Sequence, residues 1–167
     1  MKIRDYIDRI SLWSGNIVRW LALILTVAVS YEVFARYIFN RPTIWAYDTA
    51  MMIYSALFLG GAAYVLMAKA HIRVDVLFNM LPQRVQMILD LIYYFAFWLP
   101  YIFVMIWFGS KIAYQSTLAE EISNTSQWLE PVWPWRWLIP AGFVLLLLQV
   151  IAEIMRTIQS LRSSRAN

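Results

Sequence analysis

Three long stretches of the chain contain no charged residue, and this feature limits the possible folds more than any other. Residues 49–68 and 91–110 each hold 20 uncharged positions, and residues 137–152 hold 16. A helix needs about 20 mainly apolar residues to cross the hydrocarbon core of a bilayer. With its flanking residues, each stretch reaches that length. Each therefore predicts one transmembrane helix.

A fourth apolar segment, residues 17–39, contains Arg19, Glu32 and Arg36. As a helix it would extend about 34 Å. We still predict a span, because the other residues are mostly apolar. The segment is also too long for a cleaved signal peptide and has no cleavage site. The sequence thus predicts an all-α membrane protein, a single integral membrane domain over residues 1–167. Its four transmembrane helices are expected at about 17–39, 44–68, 87–112 and 136–156.

The composition agrees with a membrane protein and excludes several other classes. Hydrophobic residues make up 62% and charged residues 14%, against about 45–50% and 25% in soluble domains. The net charge of +4 is typical of basic residues that flank membrane spans, so we predict no nucleic-acid partner. With no cysteine, one histidine and no recognisable catalytic motif, the chain predicts no enzyme, no metal site and no cofactor.

The distribution of basic residues predicts the orientation in the membrane. Four spans place both termini and the middle loop on one side. That side would carry 10 of the 14 Lys and Arg residues. Cytoplasmic loops carry the excess of basic residues, so both termini are expected in the cytoplasm. The outer side carries the other four: Arg36, Arg41, Lys111 and Arg136.

Two segments have the pattern of short amphipathic helices on the inner membrane surface. In residues 3–13 the apolar positions recur at helical spacing among charged ones, and residues 74–81 have one apolar edge between Arg73 and Arg84. Basic amphipathic helices at such positions lie in the headgroup layer. Docking of a partner is the alternative interpretation.

Charged residues inside predicted spans are costly and indicate either pairing or function. Glu32 and Arg36 are four residues apart, so they share a helix face. Asp48 follows the turn at a similar depth, which predicts an outer charge cluster of these three residues. We favour a contact that fixes two helices over an ion or proton site, because Arg36 neutralises one carboxylate.

Two further features of the predicted helices have structural explanations. Arg19, Asp90 and Glu153 fall at similar depth on helices one, three and four, and predict an inner charge cluster that fixes these helices. The second helix carries small residues, among them Gly60 and Gly61. Small residues let helices approach closely, either within the chain or against another membrane subunit.

The loop between the third and fourth spans is acidic. Glu120, Glu121 and Glu130 lie in it, with no basic residue between Lys111 and Arg136. This local charge of −3 would orient a basic partner on the outer side. The alternative is that these carboxylates only keep the loop hydrated.

A set of motifs in order along the chain resembles a known family. Residues 35–42, ARYIFNRP, close the first helix; Trp45 and Asp48 open the second; Gly60 and Gly61 lie within it. Residues 71–75, HIRVD, follow and contribute His71, Arg73 and Asp75. Together they resemble the small Q-type (DctQ-like) subunit of tripartite ATP-independent periplasmic (TRAP) transporters. The motifs cover about residues 33–82. Asp48, where the family more often has Glu, and Ala70, where it often has Gly, depart mildly from the pattern.

The resemblance implies a function and partners. It implies a subunit of a secondary, sodium-coupled transporter for organic acids, in the bacterial inner membrane. Its partners would be a large multi-span membrane subunit, a periplasmic substrate-binding protein and the lipid bilayer. This chain would act as a scaffold for the large subunit and help to dock the binding protein. The alternative is a self-sufficient four-helix proton-coupled exporter with Glu32 as its carboxylate. Against it, the chain is long for that class and Arg36 lies one turn away.

Overall fold

The computed structural model describes residues 3–68, 81–124 and 128–166. In these ranges it contains four long helices, each long and apolar enough to cross a membrane. They are α1 (Ile3–Tyr37), α2 (Ala46–Met67), α3 (Gln83–Leu118) and α4 (Leu138–Ala166). A single helical turn, Trp133–Arg136, precedes α4. The predicted all-α fold with four membrane-spanning helices is confirmed.

Helix α1 is continuous over 35 residues, or about 52 Å at 1.5 Å per residue. The first amphipathic segment is therefore helical but is not a separate surface helix. Its buried residues Ile7, Ser11 and Ser14 are spaced by four and three positions. They form one buried face, and this face continues into the apolar part of α1. The amphipathic segment and the predicted span are therefore parts of one helix. The second amphipathic segment, 74–81, lies outside the described residues except for Leu81.

Helix α3 contains a π-helical turn, Tyr94–Trp98, directly before Pro100. Proline cannot donate the helical hydrogen bond, and its ring crowds the preceding turn. A π turn holds one more residue than an α turn, so it changes which side chains face the neighbouring helix on either side of it. Pro140 lies in the first turn of α4, where a backbone N–H has no helical acceptor in any case.

Helix α4 is the centre of the packing. It contacts α1, α2 and α3, whereas α3 has at most marginal contact with α1 or α2. Half of the most apolar window of α4 is buried, against 11% or less for the other three helices. The outer faces of α1, α2 and α3 carry large exposed apolar side chains, as expected where lipid or another membrane helix faces them. The buried core comprises Leu66, Tyr94, Ile102, Phe143, Leu146, Val150 and Ile154.

Glycines bring the helices close together at two points. A Cβ atom on Gly15 of α1 would lie 2.6 Å from the ring of Tyr64 in α2. A Cβ atom on Gly142 of α4 would lie 2.7 Å from the Cβ of Leu59 in α2. Both distances are shorter than van der Waals contact, so these positions have room only for hydrogen.

Gly60 and Gly61 of α2 face Val18 of α1. A Cβ atom there would lie 3.2 Å and 3.5 Å, respectively, from a methyl group of Val18. The hydroxyl of Ser14 also donates a hydrogen bond to the carbonyl oxygen of Gly60. Of the two interpretations of these small residues, internal packing therefore agrees with the contacts of both glycines.

Candidate functional site

At the end of the bundle that is predicted to face outwards, termed the outer end, Glu32 connects α1 to the turn that follows it. Its Oε1 accepts hydrogen bonds from Nη2 and Nε of Arg36, at 2.6 Å and 3.1 Å. Its Oε2 accepts from the backbone N–H of Thr43 at 3.2 Å and from the Thr43 hydroxyl. Both carboxylate oxygens are thus engaged within the chain. The interaction fixes the α1–α2 turn, which sequence reasoning about Glu32 and Arg36 alone did not identify.

The chain reaches Thr43 through a specific end of helix α1. Asn40 has a positive φ of 50°, a conformation that asparagine tolerates better than most residues. The N–H of Arg41 donates to the carbonyl oxygen of Ala35 at 3.0 Å, so this carbonyl at the end of the helix has a partner. Pro42 then prevents the helix from continuing. The ARYIFNRP motif therefore has a structural reason: it ends α1 and turns the chain back beneath Glu32.

Asp48 lines a different site, which we term the outer cleft. This cleft of about 310 Å³ lies between α2, the loop before α4 and the start of α4. Its polar lining includes Asp48, Ser123, Glu130 and Arg136. The prediction for Asp48 rested on its depth in the membrane. Depth does not determine the direction in which a side chain leaves its helix, and Asp48 faces α4 and the loop.

The loop between α3 and α4 closes into a short antiparallel pair, termed the outer hairpin (residues 121–124 and 128–132). The N–H of Ser123 donates to the carbonyl oxygen of Glu130, and the N–H of Val132 donates to that of Glu121, both at 2.9 Å. Glu120 and Leu129 have positive φ values of 45° and 54°, which turn the chain at either end. The acidic loop is thus ordered by backbone pairing where the structure describes it.

The three loop carboxylates lie in three different environments. Glu120 is exposed. Glu121 forms a 2.5 Å ion pair with Arg136, so Arg136 compensates part of the local charge of −3. Glu130 is only 8% exposed, and no donor among the described residues reaches its buried Oε2. A buried carboxylate oxygen without a donor is costly. Glu130 is therefore the loop residue whose environment calls for an additional partner.

At the inner end, five side chains of α1 and α4 form what we term the inner polar network. Gln149 is fully buried and Glu153 is 4% exposed. The Ser11 hydroxyl donates to Oε1 of Gln149 at 2.8 Å, and Nε2 of Gln149 donates to Asp8 at 3.2 Å and to Glu153 at 3.3 Å. The guanidinium of Arg156 donates to Glu153 and, at 2.6 Å, to Asp8. The network satisfies three buried polar side chains, Ser11, Gln149 and Glu153, and joins α1 to α4.

Sequence reasoning identified only Glu153 among these five residues. The hydrogen bonds of Glu153 come from Gln149 and Arg156 rather than from Arg19, which is exposed and has no ion pair in the described ranges. Asp90 lies half-buried on α3 and is not one of these five side chains. Gln149, Glu153 and Arg156 are spaced i, i+4 and i+7. Three polar residues on one face of an otherwise apolar helix indicate a polar contact with a neighbouring helix, and this spacing could have been recognised in the sequence.

Three predicted site residues, His71, Arg73 and Asp75, lie outside the residues that the structure describes. Among the described side chains, no group of three or more His, Asp or Glu is placed to hold a metal ion. The charged side chains that are buried in the helices instead bind one another. The described polar residues therefore form side-chain contacts within the chain at both ends of the bundle, and a cleft with two carboxylates at the outer end.

Comparison with known proteins identifies a family over most of the chain. Residues 25–160 match the family model described as tripartite ATP-independent periplasmic transporters, DctQ component. No curated protein matches the chain significantly. The matched region covers α2 and α3 completely, most of α4, the last 13 residues of α1, and both the outer cleft and the outer hairpin.

Proposed function

The chain belongs to the DctQ component family of tripartite ATP-independent periplasmic transporters, and from this membership we propose that it is a scaffold subunit. It is a membrane protein and a component of a transporter. In the proposed role it holds the large membrane subunit in the bacterial inner membrane and helps the periplasmic binding protein to dock. The transporter would be sodium-coupled and would carry an organic acid, as the resemblance of its motifs implies.

One observation supports the scaffold role most directly: charged side chains within the helices are engaged with each other. Glu32 binds Arg36 and Thr43, and Glu153 binds Arg156. Glu153 is only 4% exposed, and removing the cation of a buried carboxylate is strongly destabilising, which suits a role in fixing helices. A carboxylate that binds a transported ion or proton must be able to exchange partners. Both oxygens of Glu32 already accept hydrogen bonds, and Glu153 accepts them from Gln149 and Arg156.

The exposed apolar faces of α1, α2 and α3 supply surface for a partner. Since α4 already occupies the centre, another membrane subunit would pack on the outer helices. Helix interfaces in membranes depend on close van der Waals packing, so the large subunit would bury aromatic and aliphatic side chains of these faces.

Copurification from native membranes tests this role. Tagged full-length chain, extracted in mild detergent, should retain a large multi-span membrane protein in a stoichiometric complex. Cells that lack this chain should lose uptake although the large subunit is still expressed. A chain that purifies alone, with uptake unchanged by its deletion, would contradict the scaffold role. In cells that express only this chain, proton-dependent dye export that disappears in Glu32→Gln would favour the exporter instead.

For docking, the outer cleft is the part of the surface that best fits a basic partner. Asp48, Glu130 and Arg136 line it, and Arg136 already pairs with Glu121. A lysine or arginine of the binding protein that entered the cleft would face the carboxyl groups of Asp48 and Glu130.

Uptake as a function of binding-protein concentration tests the docking proposal. Glu130→Gln should raise the half-saturating concentration, and the difference from wild type should shrink at high salt, where charge steering is screened. Glu120→Gln is the matched control, because this exposed carboxylate lies on the same loop outside the cleft. Equal effects of the two changes would indicate a general loop charge rather than a docking site.

A further inference from the structure

A groove at the inner end of the bundle combines two basic side chains with an aliphatic surface. It lies between the start of α3 and the end of α4 and measures about 450 Å³, within the range of about 300–1,000 Å³ that is common for ligand pockets. Arg84 and Ile88 line it from α3, and Ile158, Leu161 and Arg162 line it from α4. We term it the inner groove. It shares no residue with the inner polar network.

The charges around the groove favour an anion. Arg162 forms no ion pair with any of the described residues, and both arginines are exposed. The residues that line the groove include both arginines and no carboxylate. On the adjoining part of α1, Asp5 lies 3.7 Å from Arg4, which donates to Gln159 of α4. The lining itself therefore has a positive character.

We propose that the inner groove binds an anionic phospholipid of the cytoplasmic leaflet. A guanidinium donates two parallel hydrogen bonds to phosphate oxygens, so Arg84 and Arg162 suit a lipid headgroup. Ile88, Ile158 and Leu161 offer the upper part of an acyl chain an apolar surface. Basic pockets between membrane helices on the cytoplasmic side characteristically bind such headgroups, and the excess of basic residues assigns this end of the helices to the cytoplasm. The site is independent of the scaffold and docking roles.

Native mass spectrometry of the full-length chain in mild detergent tests this site. Phosphatidylglycerol, cardiolipin and phosphatidylcholine are added separately at equal concentration. The wild type should retain phosphatidylglycerol or cardiolipin in preference to phosphatidylcholine, which has the phosphate but no net charge. Each of Arg84→Gln and Arg162→Gln should lower this retention about fivefold, which corresponds to about 1 kcal/mol per basic residue near the surface. Arg9→Gln is the matched control, because Arg9 is an exposed arginine of the same end outside the groove.

Several results would overturn the proposal. Equal retention of charged and zwitterionic lipids would exclude a headgroup site, and an equal loss in Arg9→Gln would indicate general surface attraction. Displacement of the lipid by inorganic phosphate alone would exclude a contribution of the acyl chain. If Arg84→Gln fails to fold, Arg84→Lys keeps the charge, and retention should then stay within a few-fold of wild type. Unchanged lipid retention with weaker copurification of the large subunit would assign the groove to a protein partner.

Discussion

Ser11 and Gln149 lie 138 positions apart in the sequence, and their side chains form a 2.8 Å hydrogen bond that is buried between α1 and α4. Gln149 is the only residue that contacts Ser11, Asp8 and Glu153 together among the described hydrogen bonds. The amide group of Gln149 therefore lies at the centre of a contact between α1 and α4 that Arg156 also bridges through Asp8.

We expect Gln149→Leu to destabilise the full-length chain in detergent, because the change leaves Ser11 without its acceptor and removes one of the two donors to each of Asp8 and Glu153. Each buried polar group left unsatisfied costs about 1–3 kcal/mol. Ser11→Ala alone should cost less, and the double variant should cost less than the sum of both. Thermal unfolding followed by helical circular dichroism measures the effect. Strictly additive losses would show that the two residues act independently.

Arg156→Gln should destabilise more than any other removal of a charge at the inner end. It leaves Glu153, which is 4% exposed, as a buried carboxylate without its cation, and breaking a buried pair costs about 3–5 kcal/mol. The double variant Glu153→Gln with Arg156→Gln should recover much of the loss. Arg9→Gln, an exposed change one residue from Asp8, serves as the control and should unfold like wild type. A loss in the double variant as large as in Arg156→Gln would contradict the pairing.

Thr43→Val should loosen the α1–α2 turn, because the Thr43 hydroxyl donates to Glu32. Hydrogen exchange in residues 38–45, followed by mass spectrometry, should become about two- to tenfold faster, as expected for the loss of one hydrogen bond. Thr26→Val is the matched control. The Thr26 hydroxyl bonds only to the carbonyl oxygen of Ala22 in its own helix, at 2.9 Å, so its loss should leave exchange in the turn unchanged.

Two glycine-to-alanine changes should have opposite outcomes. In Gly142→Ala the new methyl group would lie 2.7 Å from the Cβ and 3.2 Å from the backbone oxygen of Leu59, so α2 and α4 must separate. We expect a loss of about 1–3 kcal/mol from overpacking. In Gly61→Ala the nearest atom lies at 3.5 Å, an ordinary contact, so stability should be unchanged or slightly higher. Thermal unfolding measures the stability of both variants. A larger loss of stability in Gly61→Ala than in Gly142→Ala would contradict this prediction.

Both termini are expected in the cytoplasm. A reporter enzyme that is active only in the periplasm should be silent when fused after Asn167 and active when inserted near Ser123 in the outer hairpin. The basic residues predict this orientation. The reverse pattern of activity would place the inner groove and the inner polar network on the periplasmic side.

The sequence was sufficient for the helices because their prediction needs only hydrophobicity and length. Residues 49–68 and 91–110 have no alternative to a buried or lipid-facing helix. The pairing of Glu32 with Arg36 also followed from local spacing, since residues four apart share a helix face.

The remaining contacts depend on information that local spacing does not contain. Asp48 lines the outer cleft because of the rotation of α2 about its own axis, which spacing along the chain does not give. The partners of Gln149 are set by how α1, extended to Ile3, packs on α4. Thr43 reaches Glu32 only because Asn40 adopts a positive φ. Each of these depends on tertiary geometry.

The central position of α4 also has a consequence for how the protein is made. The ribosome synthesises α1, α2 and α3 before the helix on which all three pack. Helices α1 and α2 pack on each other and can associate as soon as both are inserted, with Gly15 against Tyr64. Helix α3 has no comparable contact with either, so Tyr94 and Ile102 face lipid until α4 arrives. The last membrane insertion thus completes assembly, and a ribosome that stalls before α4 leaves three inserted helices of which only two are joined.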